Sequence, residues 1–254
     1  MILNTECIDI SRFSDAVARV ALEERLSEGF SVIAEGSVHK AIKLYVEPRA
    51  EKHEVPLLGG VADVYNENGV FEVQTGSFKP LAPKLRRFLP EHKVTIVHPF
   101  RVRTRHRWLD RESGEIITPK SAGGSVRSLY SVGRELYAIR DLIGDPNLTV
   151  RIIAYECDEY RVLDGWDKTK RRGATLLGRT PTALLGEIEL STLSDYTALI
   201  PSALDESFLA KDYMRAVKSR SRYDALNLKL LEFLGLIERV GKQGNAYIYR
   251  RTTV

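Results

Sequence analysis

The sequence predicts an α/β protein of 254 residues with a small, largely helical unit at its C-terminus. Three observations predict it. Residues 53–78 (HEVPLLGGVADVYNENGVFEVQTGSF) read as short β-like runs around a turn at Asn66-Glu67-Asn68-Gly69. An amphipathic helix and an almost wholly apolar strand follow, over residues 80–91 and 93–100. From Thr182 onward, helix-favouring segments succeed one another and close on a hairpin signal. With 43% apolar and 28% charged residues, the chain can bury a sizeable core.

In order, residues 1–10 suit a short strand or an ordered tail. Residues 11–29 form a helix, with Ser11 or Ser14 as N-cap and Gly29 as its stop. Its apolar side is Phe13, Val17, Val20, Ala21 and Leu26, and Glu23 and Glu24 are solvated. A second helix spans 35–46 and ends before Pro48. The helix over 80–91 buries Leu81, Leu85, Phe88 and Leu89. After Phe100, Arg101, Arg103, Arg105, His106 and Arg107 place several cations on one strand face. That row suits phosphate contact or a charged edge strand protected against aggregation. Residues 116–124 read as an exposed loop, and 125–143 as a helix striped with Val126, Leu129, Val132, Leu136, Ile139 and Ile143. Residues 148–162 form a long strand running into a basic turn with Lys168, Lys170, Arg171 and Arg172. Residues 182–190, 194–200, 207–216 and 222–234 favour helix, and 236–250 favour a hairpin around residues 241–245.

Chemistry concentrates in the first hairpin. Asp63 and Glu72 each lie among apolar neighbours, where an ionised carboxylate is costly without a compensating charge. Two such acids on paired strands suit a hard divalent cation; a solvated hairpin face is the alternative. His39, four residues after Glu35, shares its helix face and reads as a surface histidine, with proton carrier or phosphate contact as the functional alternatives.

The order helix, three strands, helix, strand, with Asp63 on the second strand and Glu72-Val73-Gln74 on the third, resembles the PD-(D/E)xK nuclease superfamily and its restriction-endonuclease-like α-β-β-β-α-β core. The resemblance covers residues 34–100. It implies metal-dependent DNA phosphodiester hydrolysis, with Asp63, Glu72 and a main-chain carbonyl near residue 73 holding Mg²⁺ or Mn²⁺, and Glu35 near the metal. Gln74 stands where the family has lysine. Glutamine can hold a water but carries no charge, and in some members the lysine moves to the following helix, where Lys84 is the candidate here.

Residues 182–254 resemble a winged-helix DNA-binding domain, with Leu226, Leu230, Leu231 and Leu234 as its core. The resemblance implies DNA contacts from Lys218, Arg220, Arg222, Asn227, Lys229 and Lys242, in a region where basic residues outnumber acids. The expected division is a nuclease-like domain over 1–181 and a winged helix over 182–254. The leading expectation is a nuclease delivered to duplex DNA, RNA not being excluded. The alternatives are an inactive nuclease fold that binds DNA or regulates, and a regulator whose winged helix contacts proteins. Nucleases of this kind that cut both strands often form homodimers. A net charge of +4 is compatible with nucleic acid. Cys7 and Cys157 make neither a metal-ligand spacing nor a disulfide framework, and no apolar run would cross a membrane, so a cytoplasmic location is expected.

Overall fold

The computed structural model describes residues 3–6, 8–28, 36–110, 115–117, 124–162, 175–218 and 222–252. The fold is mixed α/β, with one large mixed sheet, a second three-stranded sheet and several helices. The first helices are α1 (Ile10–Glu28) and α2 (Ser37–Val46). The cap of α1 is Asp9, whose Oδ1 accepts the Arg12 N–H at 2.8 Å, rather than either expected serine. Strands β1 (His53–Leu57), β2 (Gly60–Asn66) and β3 (Gly69–Val73) form an antiparallel meander. Gly69 is required at the turn. Its φ is +115°, and a Cβ there would meet the Lys93 carbonyl oxygen at 2.5 Å.

Helix α3 (Ala82–Phe88) then carries the chain to β4 (Val94–Leu109), which lies parallel to β3. The apolar strand and the arginine row are therefore one 16-residue element. At the row this strand is flanked by β7 (Leu148–Val162) and, over Arg103–Arg105, by the short strand Gly124–Val126, so the row is not a bare sheet edge. Cross-strand acids compensate it. Arg103 reaches Glu156 at 3.0 Å, and Arg105 and Arg107 both reach Asp158, at 3.0 and 2.8 Å.

Two expected helices are corrected. Residues 125–143 hold β6 (Gly124–Val126), a helical turn over Leu129–Val132 and the short α4 (Gly133–Tyr137), because their first residues pair with β4. The loop expected over 116–124 also begins with a short strand, β5 (Ile116–Ile117), paired with the end of β4. Residues 182–190 belong to β8 (Thr175–Leu190), which pairs with β7 along its length. Ile188 and Leu190 recur two apart into one core, the period of a strand, while Leu184, beyond a register shift, packs into the other. The large sheet therefore extends past the expected boundary at residue 182. The basic turn at 168–172 lies outside the described residues.

Beyond a helical turn at Leu193–Leu199 come β9 (Ser207–Leu209), α5 (Ala210–Ala216), α6 (Leu226–Phe233), β10 (Ile237–Gln243) and β11 (Ala246–Arg251). The second sheet has the order β10-β11-β9. One apolar core joins this region to the main sheet: Leu85, Phe88, Ile96 and Ile152 belong to the same buried cluster as Tyr213, Leu228 and Leu231. The join is tightest where α6 crosses α4. Asn227 is fully buried there and donates to the Tyr130 carbonyl at 2.8 Å. A Cβ on Gly133 would lie 1.3 Å from Asn227 Oδ1, so position 133 has no room for a side chain while Asn227 occupies this place. Gly133→Ala is expected to lower stability by about 1–3 kcal/mol, as overpacking of a filled site does. The measurement is the midpoint of urea unfolding, and an unchanged midpoint would mean that this crossing is loose.

Candidate functional site

Strand β3 lies between β2 and β4, and this places Glu72 inside the sheet, with its side chain 3% exposed. Pairing between β2 and β3 runs from the turn only to Val64 and Phe71. Beyond that point the strands part, and the Val73 N–H donates to Asp63 Oδ2 at 2.8 Å. The same oxygen lies 3.3 Å from His39 Nε2 on α2. From the other side, α3 buries Ala82, Leu85 and Phe88 and brings Lys84 alongside. Lys84 Nζ donates to Glu72 Oε2 at 2.5 Å, while Glu72 Oε1 is buried and unpartnered.

The two acids are held in different states. Burial pushes the Glu72 carboxyl up, Lys84 opposes this, and the Asp63 charge adds to it; the result is about 7. Burial also pushes Asp63 upward, but the hydrogen bond and charge of His39, the Val73 N–H and the Lys84 charge outweigh it. Asp63 therefore ionises below the usual carboxylate range. One acid stays charged at neutral pH and its neighbour is poised to exchange a proton.

Asp63, Glu72 and Lys84 are thus brought together. His39, expected at the surface, is half-buried and belongs with them. Gln74 follows directly, but its side-chain amide donates to the Ser77 carbonyl at 2.9 Å. The Gln74 carbonyl accepts from His98 Nδ1 at 2.6 Å, which fixes that ring's tautomer with Nε2 as the acceptor. Burial lowers the His98 pKa to about 4, so the ring is neutral. Sequence reading missed His98, which looks like one more member of an apolar run. Glu35 lies outside the described residues.

The expected DNA-contacting residues separate. Lys218, Lys229 and Lys242 are exposed, and Lys242 lies 4.9 Å from the Tyr247 ring. Arg222 opens a helical turn at Arg222–Ala225, and Arg220 lies outside the described residues. Asn227 is corrected: its amide is buried against α4, because α6 packs this face there, and it does not reach the surface.

Residues 36–191 match the model of DUF8091, a domain of unknown function. The chain belongs to that family. The DUF8091 match holds His39, Asp63, Glu72 and Lys84, and ends one residue after β8 closes the large sheet. A protein of Treponema pallidum (strain Nichols), described as uncharacterized, is 26% identical over 219 residues, covering 85% of each chain. No solved structure matches. Among the described residues, no helix is long and apolar enough to cross a membrane.

The raised Glu72 pKa sets a direction for stability. The folded state holds this proton more tightly than the unfolded chain, whose carboxyl titrates near 4.5. The resulting stabilisation is full below that pH and is lost as pH rises through about 7. Its upper limit is about 3 kcal/mol, from the shift multiplied by the cost per pK unit. Glu72→Gln is expected to flatten this decline. Chemical denaturation of both proteins at a series of pH values measures it, and parallel curves would refute the assignment.

Proposed function

We propose that this chain is a metal-dependent nuclease that hydrolyses DNA phosphodiester bonds at the Asp63–Glu72–Lys84 site. The observation that carries the reading is the 2.5 Å contact from Lys84 to buried Glu72, beside Asp63 on the neighbouring strand. The positive charge missing at Gln74 is thereby supplied from α3. The element order supports the resemblance to the PD-(D/E)xK core: α2, the β1–β2–β3 meander, α3, then β4 parallel to β3.

The donor set suits a hard cation in part. Asp63 and Glu72 offer carboxylate oxygens, and Glu72 Oε1 is buried without a partner. Among the described residues, no group of three His, Cys, Asp or Glu side chains is close enough to bind a metal, so Mg²⁺ or Mn²⁺ here would draw its remaining oxygens from water and substrate phosphate. Such a cation supplies Lewis acidity and lowers the pKa of bound water. Asp63 stays ionised at neutral pH to receive positive charge. Lys84 can offset negative charge on the phosphate undergoing substitution.

The C-terminal order of helical turn, β9, α5, α6 and hairpin, with strands arranged β10-β11-β9, supports a winged helix. Its exposed Lys218, Lys229 and Lys242 suit phosphate contact, while α6 spends its buried face on α4. One observation favours a second reading, an inactive nuclease fold that binds DNA. Lys84 already balances Glu72, and His39 is paired with Asp63.

The test is cleavage of supercoiled plasmid and single-stranded DNA with Mg²⁺ or Mn²⁺. Wild type is expected to cut and to stop when the metal is chelated. Asp63→Asn and Lys84→Ala are expected to lose at least about 100-fold, the scale of removing one transition-state contact. Mn²⁺ should also raise the melting temperature of wild type but not of Asp63→Asn. Equal cleavage by wild type and Asp63→Asn would refute this site. DNA binding without cleavage by wild type would favour the inactive fold.

A further inference from the structure

Strand β4 has an interrupted neighbour. On one side, β3 pairs with it as far as Val97, and β6 takes up the same side at Arg103–Arg105. Residues 98–101 between them face an open gap, which closes where the Arg127 N–H donates to the Val102 carbonyl at 2.8 Å. Backbone groups alternate in direction along a strand, and the Val97 carbonyl accepts from Gln74 on this side. Pro99 is the next residue to face the gap, and it has no N–H to leave unpaired. The gap opens into a cavity of about 440 Å³ bounded by the 75–77 loop, His98, Arg101, Arg127, Arg134 and Tyr155.

The charge in this cavity is unbalanced. Its lining includes four arginines and a single acid, Glu135. Arg179 is committed to Glu159 at 2.8 Å, and Arg134 lies 3.8 Å from Glu135. Arg101 stands 3.6 Å from Glu159, which Arg161 and Arg179 already hold more closely, and its Nε is buried without a partner. Arg127 lies 4.6 Å from the centre of the Phe100 ring, with no ion pair to a carboxylate among the described residues. Arg127 is exposed; partial desolvation and the Arg101 charge hold its guanidinium below the usual arginine range, against the opposing pull of Tyr155, Glu135 and Asp224. Two like charges gathered at a cavity are a standing cost that a bound anion removes.

The anion's chemistry follows from the donors. The guanidiniums arrive from β4, from the residue after β6 and from α4, so they approach from several directions. A carboxylate offers two coplanar oxygens, whereas a phosphate accepts around a tetrahedron and can engage several guanidiniums at once. Hydroxyls of Thr75 and Ser77 add donors at the mouth. A second cavity, of about 560 Å³, shares Arg127, Arg134 and Glu135 and continues to Lys218, Tyr223 and Asp224 in the C-terminal region. The cleft therefore continues from the loop after Gln74 toward the C-terminal region, with its excess of positive charge in the first cavity.

We infer that the gap beside β4 is a phosphate site, in which Arg101 and Arg127 bind a backbone or terminal phosphate of a nucleic-acid strand. The phosphate chemistry rests on the cleft alone; the strand as its source rests on the nuclease reading above.

The test measures binding in the presence of EDTA, which separates it from any cleavage. The probes are inorganic phosphate, and a short single-stranded oligonucleotide with either a 5′-phosphate or a 5′-hydroxyl. Wild type is expected to bind all three, with phosphate competing against the oligonucleotides. Arg127→Gln and Arg101→Gln are expected to weaken every probe at least about 10-fold, the equivalent of one charge-assisted contact. Arg127→Lys should recover part of the loss, and Arg19→Gln on α1 should change nothing. Arg127 supports no buried ion pair, so its variants report on binding even if Arg101→Gln fails to fold. Wild-type affinities retained in Arg127→Gln would overturn the site. Weakening of inorganic phosphate alone would overturn the strand as its source. If Arg127→Gln loses the probes while wild type, which binds them, never cleaves, the nuclease reading fails and the phosphate site stands.

Discussion

The structure depends on β4. This strand runs parallel to β3 on one side and to β7 on the other, and every large-sheet element is placed by reference to it. Its first half is apolar and buried, as a strand covered on both faces must be. Because β3 ends at Val73 while β4 continues to Leu109, the sheet opens at the carboxyl end of β3. That is where open α/β sheets place their crevices, since the chain must leave the strand and cross a face. Asp63, Glu72, Gln74, His98 and the arginine cavity all gather at this opening.

Charge along the sheet is handled in two ways. Farther along β4, arginines face acids of β7 in register, and His106, Glu159 and Arg179 align across three strands. Such ladders fix register and leave little free charge for a ligand. At the opening the matching fails. Arg101 sits beside the register shift between β4 and β7, and Arg127 follows a strand only three residues long. The same arginine-rich sequence thus gives a compensated ladder where pairing is regular and a more weakly compensated pair where it is interrupted.

How much of this was legible in the sequence depended on the range of the deciding interaction. The meander at 53–73 could be read because alternation and the Asn68-Gly69 turn are local. Asp63 and Glu72 stood out for the same reason, as acids among apolar neighbours. Lys84 could be named only as a candidate, since its reach to Glu72 depends on how α3 lies on the sheet. Residues 182–190 were misread because Ala183, Leu184, Leu185 and Glu187 favour helix, and pairing with a strand some thirty residues earlier overrides that preference. Asn227 looked like a polar residue on a basic helix. Nothing near it in the chain announces Gly133, whose missing side chain makes room for it. Of the phosphate cavity only Arg101 carried a local signal, as the first member of the arginine row; the cavity itself is a gap between two partners of one strand, which no local pattern announces.

Glu72 links these parts energetically. A proton, the Lys84 ammonium and a divalent cation would each compensate the same buried carboxylate, and they compete for it. Near neutral pH the proton and Lys84 are balanced closely enough that the carboxyl titrates at about 7. A cation arriving at Asp63 and Glu72 would have to displace the proton and release Lys84 from its 2.5 Å contact. The freed ammonium would still be attached to α3 at the edge of the opening. A phosphate held by Arg101 and Arg127 would bring negative charge to that same opening, favouring both the cation and the freed lysine. Metal and phosphate would therefore strengthen each other's binding, because each brings the charge that the other needs.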